Sequence, residues 1–302
     1  MNTSPTIAPH YWVMIATLGF VWGGTFLMVE LALRGVTPFW LAAGRIGFAG
    51  ILLSAIWGVR GFRLFEDRSN WTSVTLVALL STALPFLLLS WGLQYVTSGF
   101  AGVSMGAIPL MILPLAHVFV AGEQMGPRRI LGTVLGFVGI LILIGGKAFD
   151  SSGSDLETFG RLACLSAAAC YACSSILTRR LPPVDSLGLA AVLMLIGAVV
   201  IIPIAWIAEG PPPALDQETL FWVAILGLIP TAGANLLRVM VVRGAGPVFM
   251  SLTNYQVPVW SVTLGALILN EALPSSLFYA LALIIGGVAI SQYKSLSALL
   301  GR

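Results

Sequence analysis

The chain has 302 residues, of which 58% are apolar and only 9% charged, with a mean hydropathy of +0.97. Such a composition cannot clothe a soluble domain in a polar surface, so it excludes that class and points to an integral membrane protein. The formal net charge of +3 reads as a topology signal, and nucleic acid is not expected as a partner.

A membrane span needs roughly 20 predominantly apolar residues. Ten such runs follow one another, at about 11–33, 38–58, 72–93, 98–120, 128–146, 159–179, 187–207, 219–242, 247–269 and 275–293. The first lacks a basic leader and outruns a signal peptide's apolar core, so it is expected to be retained. Transmembrane strands would alternate in polarity over about 10 residues, and these runs do not. The expected fold is an all-α integral membrane protein of ten transmembrane helices, with little chain left for an extramembrane domain.

In the first two spans, Glu30 and Arg45 stand on either side of the turn Arg34-Gly-Val-Thr-Pro38. At 1.5 Å rise per residue each lies roughly 10 Å below it, where ionisable groups are functional candidates. They are expected to meet as an ion pair that clamps or gates the two helices. The alternative is that Arg45 holds a substrate carboxylate. Trp22 lies deeper in the first span, whereas Trp12, Trp40 and Trp71 fit an interfacial belt. The third span contains Pro85 and closes with Trp91, Gln94 and Tyr95; the fourth contains Ser104, Pro109, Pro114 and a lone His117. Span prolines each remove a backbone hydrogen bond and tend to kink the helix. His117 is either a packing group or, if it titrates near neutral pH, a proton-coupling one. Gly132, Gly136 and Gly139 lay a small-residue face on the fifth span, for packing within the chain or between subunits.

The polar stretch Lys147-Ala-Phe-Asp-Ser-Ser-Gly-Ser-Asp-Leu-Glu157 separates two halves, 1–147 and 158–302, with 148–157 as an outer linker. In the second half, Tyr171 and all three cysteines, Cys164, Cys170 and Cys173, lie in the sixth span. The cysteines have no metal or redox setting nearby and read as packing groups. The loop Glu209-Gly-Pro-Pro-Pro-Ala-Leu-Asp-Gln-Glu218 is a stiff spacer. The eighth span holds Pro230, Asn235 and Arg238, the last placed to snorkel to the inner interface. The ninth opens on Asn254, Tyr255 and Gln256 before Pro258, consecutive polar side chains that must face protein or water.

The halves repeat one another. Trp22-Gly-Gly-Thr-Phe26 corresponds to Tyr171-Ala-Cys-Ser-Ser175, Glu123-Gln-Met-Gly-Pro127 to Glu271-Ala-Leu-Pro274, and Pro109 to Pro258. Because each half carries an odd number of spans, the second enters the membrane from the opposite side, giving two inverted five-helix repeats of the kind that alternate access around a shared site. With the amino terminus inside, Arg60, Arg63, Arg68, Arg128, Arg129, Arg179, Arg180, Arg243, Lys294 and Arg302 face the cytoplasm, against Arg34, Lys147 and Arg161 outside. That asymmetry places both termini in the cytoplasm.

The order Trp22-Gly-Gly-Thr-Phe26, Pro38, Ala43-Gly-Arg45, Pro109 and Glu123, followed by Pro258, Leu269-Asn-Glu271 and Gly286-Gly287-Val-Ala-Ile290, resembles the EamA-type drug/metabolite transporters over essentially the whole chain. The resemblance implies a ten-helix inverted-repeat carrier that moves small metabolites outward across the bacterial inner membrane, in the manner of amino-acid exporters.

Candidates for the binding cavity and pathway are Trp22, Trp91, Tyr95, Ser104, Tyr171, Asn235, Asn254, Tyr255 and Gln256, with Glu30 and Arg45 as gate, Pro109 and Pro258 as kinks and His117 as possible proton carrier. Aromatic lining suits an aromatic or neutral amphipathic solute. The absence of a midplane acid favours facilitated diffusion; the alternative is a proton-coupled exporter of other metabolites or drugs. The chain has no GxxxxGK[ST] or HExxH motif, and its serines and threonines are scattered, so no cofactor, metal site or enzyme activity is expected. The partners are a small-molecule substrate and the lipid bilayer, with a monomer or homodimer as the assembly.

Overall fold

The computed structural model describes residues 8–65, 69–119, 126–145, 155–245, 250, 252–271, 273, 275–291 and 293. Its described residues are organised as helices: α1 (Pro9–Leu33), α2 (Pro38–Val59), α3 (Trp71–Gly92), α4 (Ser98–Phe119), α5 (Pro127–Gly145), α6 (Glu157–Arg179), α7 (Ser186–Glu209), α8 (from Gln217–Leu226 through Gly227–Gly233 to Ala234–Ala245), α9 (Thr253–Leu269) and α10 (Ser275–Ser291). Seven stretches, namely α1 to α4, α6, α7 and Gln217–Arg238 of α8, are long and apolar enough to cross a membrane. Gln256–Leu269 in α9 and Ser275–Ser291 in α10 are shorter apolar helices.

Local chemistry sets the starts. Pro9 and Pro38 occupy first turns, where a missing N–H costs nothing. Asn70, Thr97, Asp185 and Asp216 accept from the amides of Ser73, Phe100, Gly188 and Thr219 at 3.1, 3.2, 2.6 and 2.7 Å. The side-chain hydroxyl and the amide of Thr219 together hold the Asp216 carboxyl below its usual range.

Two helices are locally unwound to the wide π register, α3 at Leu79–Ala83 and α8 at Gly227–Gly233. Pro85 follows the first and Pro230 lies inside the second. A proline removes one helix donor and crowds the carbonyl four residues back, and a wide turn absorbs the mismatch. The α4 helix is interrupted at Gly106 and Ala107, just before buried Pro109, whereas α9 runs on through Pro258.

Packing pairs α2 with α7, α4 with α9 and α5 with α10; α1 lies on α8 and α9, α6 on α3 and α4, α8 on α2 and α3 on α7. Exchanging α1–α5 for α6–α10 maps the first three pairings onto themselves and the others onto one another. The small-residue face of α5 is spent inside the chain: a Cβ on Gly132 would come within 2.3 Å of the Gly287 carbonyl, so the α5 and α10 backbones touch. Outward-facing Ile51, Val199 and Ile207 are 74, 74 and 86% exposed, a surface suited to lipid.

Candidate functional site

The wide turn of α8 lies where side chains from both halves converge. A π turn leaves backbone groups outside the regular ladder, and these find partners across the bundle. Trp22 of α1 donates its indole N–H to the Pro230 carbonyl at 3.1 Å. Arg45 of α2 donates Nε–H to Thr231 Oγ1 at 2.7 Å, and that hydroxyl donates to the Leu226 carbonyl at 2.7 Å. The Asn235 side-chain amide donates to the Thr231 carbonyl. Phe86 of α3, just beyond the other wide turn, presents its ring 4.1 Å from the Arg45 guanidinium carbon. Tyr171 of α6 is close enough to Arg45 to feel its charge.

Arg45 is 8% exposed. Among the described residues no carboxylate pairs with it; its neighbours are one hydroxyl and aromatic rings. A guanidinium offers five N–H donors in a fork matched to a carboxylate. Burying it without an anion is costly, and an incoming carboxylate offsets that cost. The arrangement can therefore bind one anionic group beside an aromatic wall.

The expected Glu30–Arg45 pair does not form in this structure. Arg45 turns to the hydroxyl freed at the α8 wide turn, and the charged groups that act on Glu30 are Glu271 and Arg34. Of the remaining candidates, Trp22, Tyr171 and Asn235 come together at the α8 turn. Trp91 and Tyr95 pack against each other at a tilt of 58° at the end of α3, with ring centroids 4.9 Å apart, and Tyr95 lies against Gly160 of α6. Ser104 is wholly buried and donates to the Phe100 carbonyl at 3.0 Å, a bond internal to α4. Asn254 and Gln256 are half-buried at the start of α9, with Gln256 against Gly19 of α1; the side chain of Tyr255 lies outside the described residues, as does Glu123. Pro109 and Pro258 are both buried, and the Pro258 ring packs on Gly106. His117 is exposed near the end of α4. The cysteines are free.

Sequence reasoning overlooked Thr231 and Phe86. A hydroxyl directly after Pro230 inside an apolar span was the available signal for the first; Phe86 has none, because an apolar ring in a membrane span looks like any other. It also overlooked two acidic caps. Glu209, at the end of α7, accepts from Thr37 Oγ1, Phe39 N and Trp40 N at 2.5, 3.0 and 3.1 Å, and Glu271 accepts from Ser98 N and Gly99 N at 2.7 and 3.1 Å. Each ties the start of a first-half helix to the end of a second-half one.

Seven helical stretches long and apolar enough to cross a membrane mark a multi-pass membrane protein. The EamA-like transporter family matches residues 11–145 and again 158–293, and the chain belongs to that family. It is 22% identical over 281 residues to the uncharacterized transporter YoaV of Bacillus subtilis, covering 92% of this chain and 95% of that one. It is 25% identical over 279 residues to the uncharacterized inner membrane transporter YedA of Escherichia coli, covering 90 and 87%. A solved crystal structure of a protein 23% identical to it shares the fold, with a TM-score of 0.68 over 95% of this chain and 98% of that one.

Proposed function

We propose that the chain is a facilitative carrier that exports amino acids, with neutral and aromatic ones favoured, across the bacterial inner membrane by alternating access. The observation that carries this reading is the buried, carboxylate-free Arg45 beside Thr231, Phe86, Trp22 and Tyr171. A substrate carboxylate completes the guanidinium's hydrogen bonds, and the rings accept an aromatic or amphipathic side chain.

The bundle is read as ten spans in two inverted repeats, 1–147 and 158–302, joined by the outer linker 148–157, with both termini cytoplasmic. Supporting it are the twofold family match, the packing pairs that exchange into one another and the wide turns at corresponding places in α3 and α8. The wide turns, with the kink prolines Pro109 and Pro258, are the bending points. The outward direction follows the family resemblance, and a monomer or homodimer in lipid is the working unit.

The test is counterflow of labelled L-tryptophan and L-phenylalanine into proteoliposomes preloaded with single unlabelled amino acids. Label accumulates against preloaded substrate without an imposed pH gradient. Accumulation only under a gradient would replace the facilitative mechanism with proton coupling, and none with any amino acid would remove the substrate class.

A further inference from the structure

We propose that a groove between α2, α7 and α8 binds one acyl chain of a membrane phospholipid, and that the bound acyl chain braces α8 against α2. The site goes beyond the carrier reading and stands whether or not the protein moves amino acids.

The groove begins as a cavity of about 200 Å³ beneath the loop that joins α7 to α8. Its floor is α2, with Trp40, Gly44 and Phe48; Ile202 of α7 and Val223 of α8 form the sides, and Pro212 and Pro213 the roof. Of its described lining residues only Trp40 carries a polar side-chain atom, and that indole N–H already donates to the Gly210 carbonyl at 3.1 Å. The roof suits an apolar space. Pro211, Pro212 and Pro213 supply no backbone N–H, so they leave no donor unsatisfied above it, and their fixed φ holds the loop extended. The loop is pinned at both ends, by Glu209 on the amides of Phe39 and Trp40 and by Asp216 on the amide of Thr219. The cavity is therefore preformed. Apolar cavities of roughly 150 Å³ stay dry and take up apolar guests, and this one is larger.

Below the roof the cavity opens toward the membrane. Trp40, Gly44, Gly47, Phe48 and Ile51 lie on one stripe of α2 at helical spacing. A Cβ on Gly47 would meet no described atom within 4 Å, and Ile51 is exposed. Along the neighbouring wall, Val199, Ile202 and Trp206 share a face of α7 and are 74, 43 and 55% exposed. The groove thus runs into the surface suited to lipid. From Trp40 to Ile51 it extends about 16 Å at 1.5 Å per residue, close to half of the roughly 30 Å hydrocarbon core. That is the depth of one leaflet, which an acyl chain fills. At the roofed end Trp206 meets Trp40 edge-on, with ring centroids 6.2 Å apart, as an interfacial pair beside which the head group leaves the groove.

The groove also touches the α8 wide turn. A Cβ on Gly227, where that turn begins, would lie 2.5 Å from Phe48 Cβ, and a Cβ on Gly44 would lie 2.7 Å from Val223 Cγ1. Phe48 and Val223 therefore sit at the two close contacts between α2 and α8, and both line the cavity. A void beside them forfeits packing on one side, and an acyl chain restores it. The bound lipid holds Phe48 on Gly227 and Val223 on Gly44.

The test uses the protein purified in maltoside detergent, stripped of lipid and given a phosphatidylcholine brominated on one acyl chain. Native mass spectrometry counts the lipid retained, and quenching of a bimane on Pro213→Cys locates it, after Cys164, Cys170 and Cys173 are changed to Ala. The expected result is one phospholipid retained per protein, a quenched bimane and a melting temperature raised by the lipid. Gly47→Leu places a side chain in the open floor, and Ile202→Trp narrows the mouth from a lipid-facing position. Each is expected to lose the retained lipid, the quenching and the thermal shift, and the second serves if the first does not fold. Retention by both variants as in wild type would overturn the proposal, as would a retained lipid that leaves the bimane unquenched. Displacement of the lipid by L-tryptophan would assign the groove to the solute pathway and overturn it too. Lipid binding as expected in a protein that moves no amino acid would sink the carrier reading and leave this site standing.

Discussion

Arg45 concentrates the argument at the scale of single residues. A charge-assisted hydrogen bond contributes about 1.5–3 kcal/mol, and each 1.4 kcal/mol is a factor of ten. Arg45→Ala and Arg45→Lys are therefore expected to lower amino-acid flux by about 10- to 100-fold, the lysine failing because a point charge does not reproduce the planar fork. Substrate titrations of initial counterflow check this; unchanged affinity in both variants removes the arginine from the site. Trp22→Phe keeps the ring and deletes the donor to the Pro230 carbonyl. It is expected to reduce flux while shifting stability by about 1 kcal/mol or less. A fall in melting temperature as large as the fall in flux would make Trp22 a packing residue. At the end of α7, Glu209→Ala removes the cap of α2 and is expected to lower stability by about 1 kcal/mol, read as a lower melting temperature.

Elements meet through close backbones and deliberate irregularities. Gly132→Leu pushes side-chain atoms into the Gly287 carbonyl and is expected to cost about 1–3 kcal/mol or more, seen as a lower melting temperature and poor expression. An unchanged melting temperature would show that α5 and α10 do not pack so tightly. Seven of the expected spans were legible as apolar length, whereas the capping residues Asn70, Thr97, Asp185 and Asp216, which fix four helix starts, show themselves only in the structure. The wide turns were legible only as prolines: Pro85 and Pro230 announce a disturbed ladder, but whether it bends or widens depends on neighbours that sequence order hides. The site was half-legible for the same reason. Trp22, Arg45, Tyr171 and Asn235 stood out as polar or aromatic groups at depth, while the partner of Arg45 was misassigned. Spacing along two adjacent helices pointed to Glu30, and the competing hydroxyl of Thr231 comes from 186 residues away.

For the whole molecule, the two halves contribute to one site and latch one another at their ends. Trp22, Arg45 and Phe86 come from the first half, and Tyr171, Thr231 and Asn235 from the second. Relative movement of the halves would therefore remake that cluster, as the proposed alternating access requires. Glu209 and Glu271 fasten second-half ends to first-half helix starts, so their release accompanies any opening on that side. The most direct test of a carboxylate-binding carrier site is competition in L-tryptophan counterflow between L-phenylalanine and phenethylamine, which differ by the carboxylate that Arg45 is proposed to hold. Inhibition by phenylalanine alone is the expected result; equal inhibition by both would contradict the account.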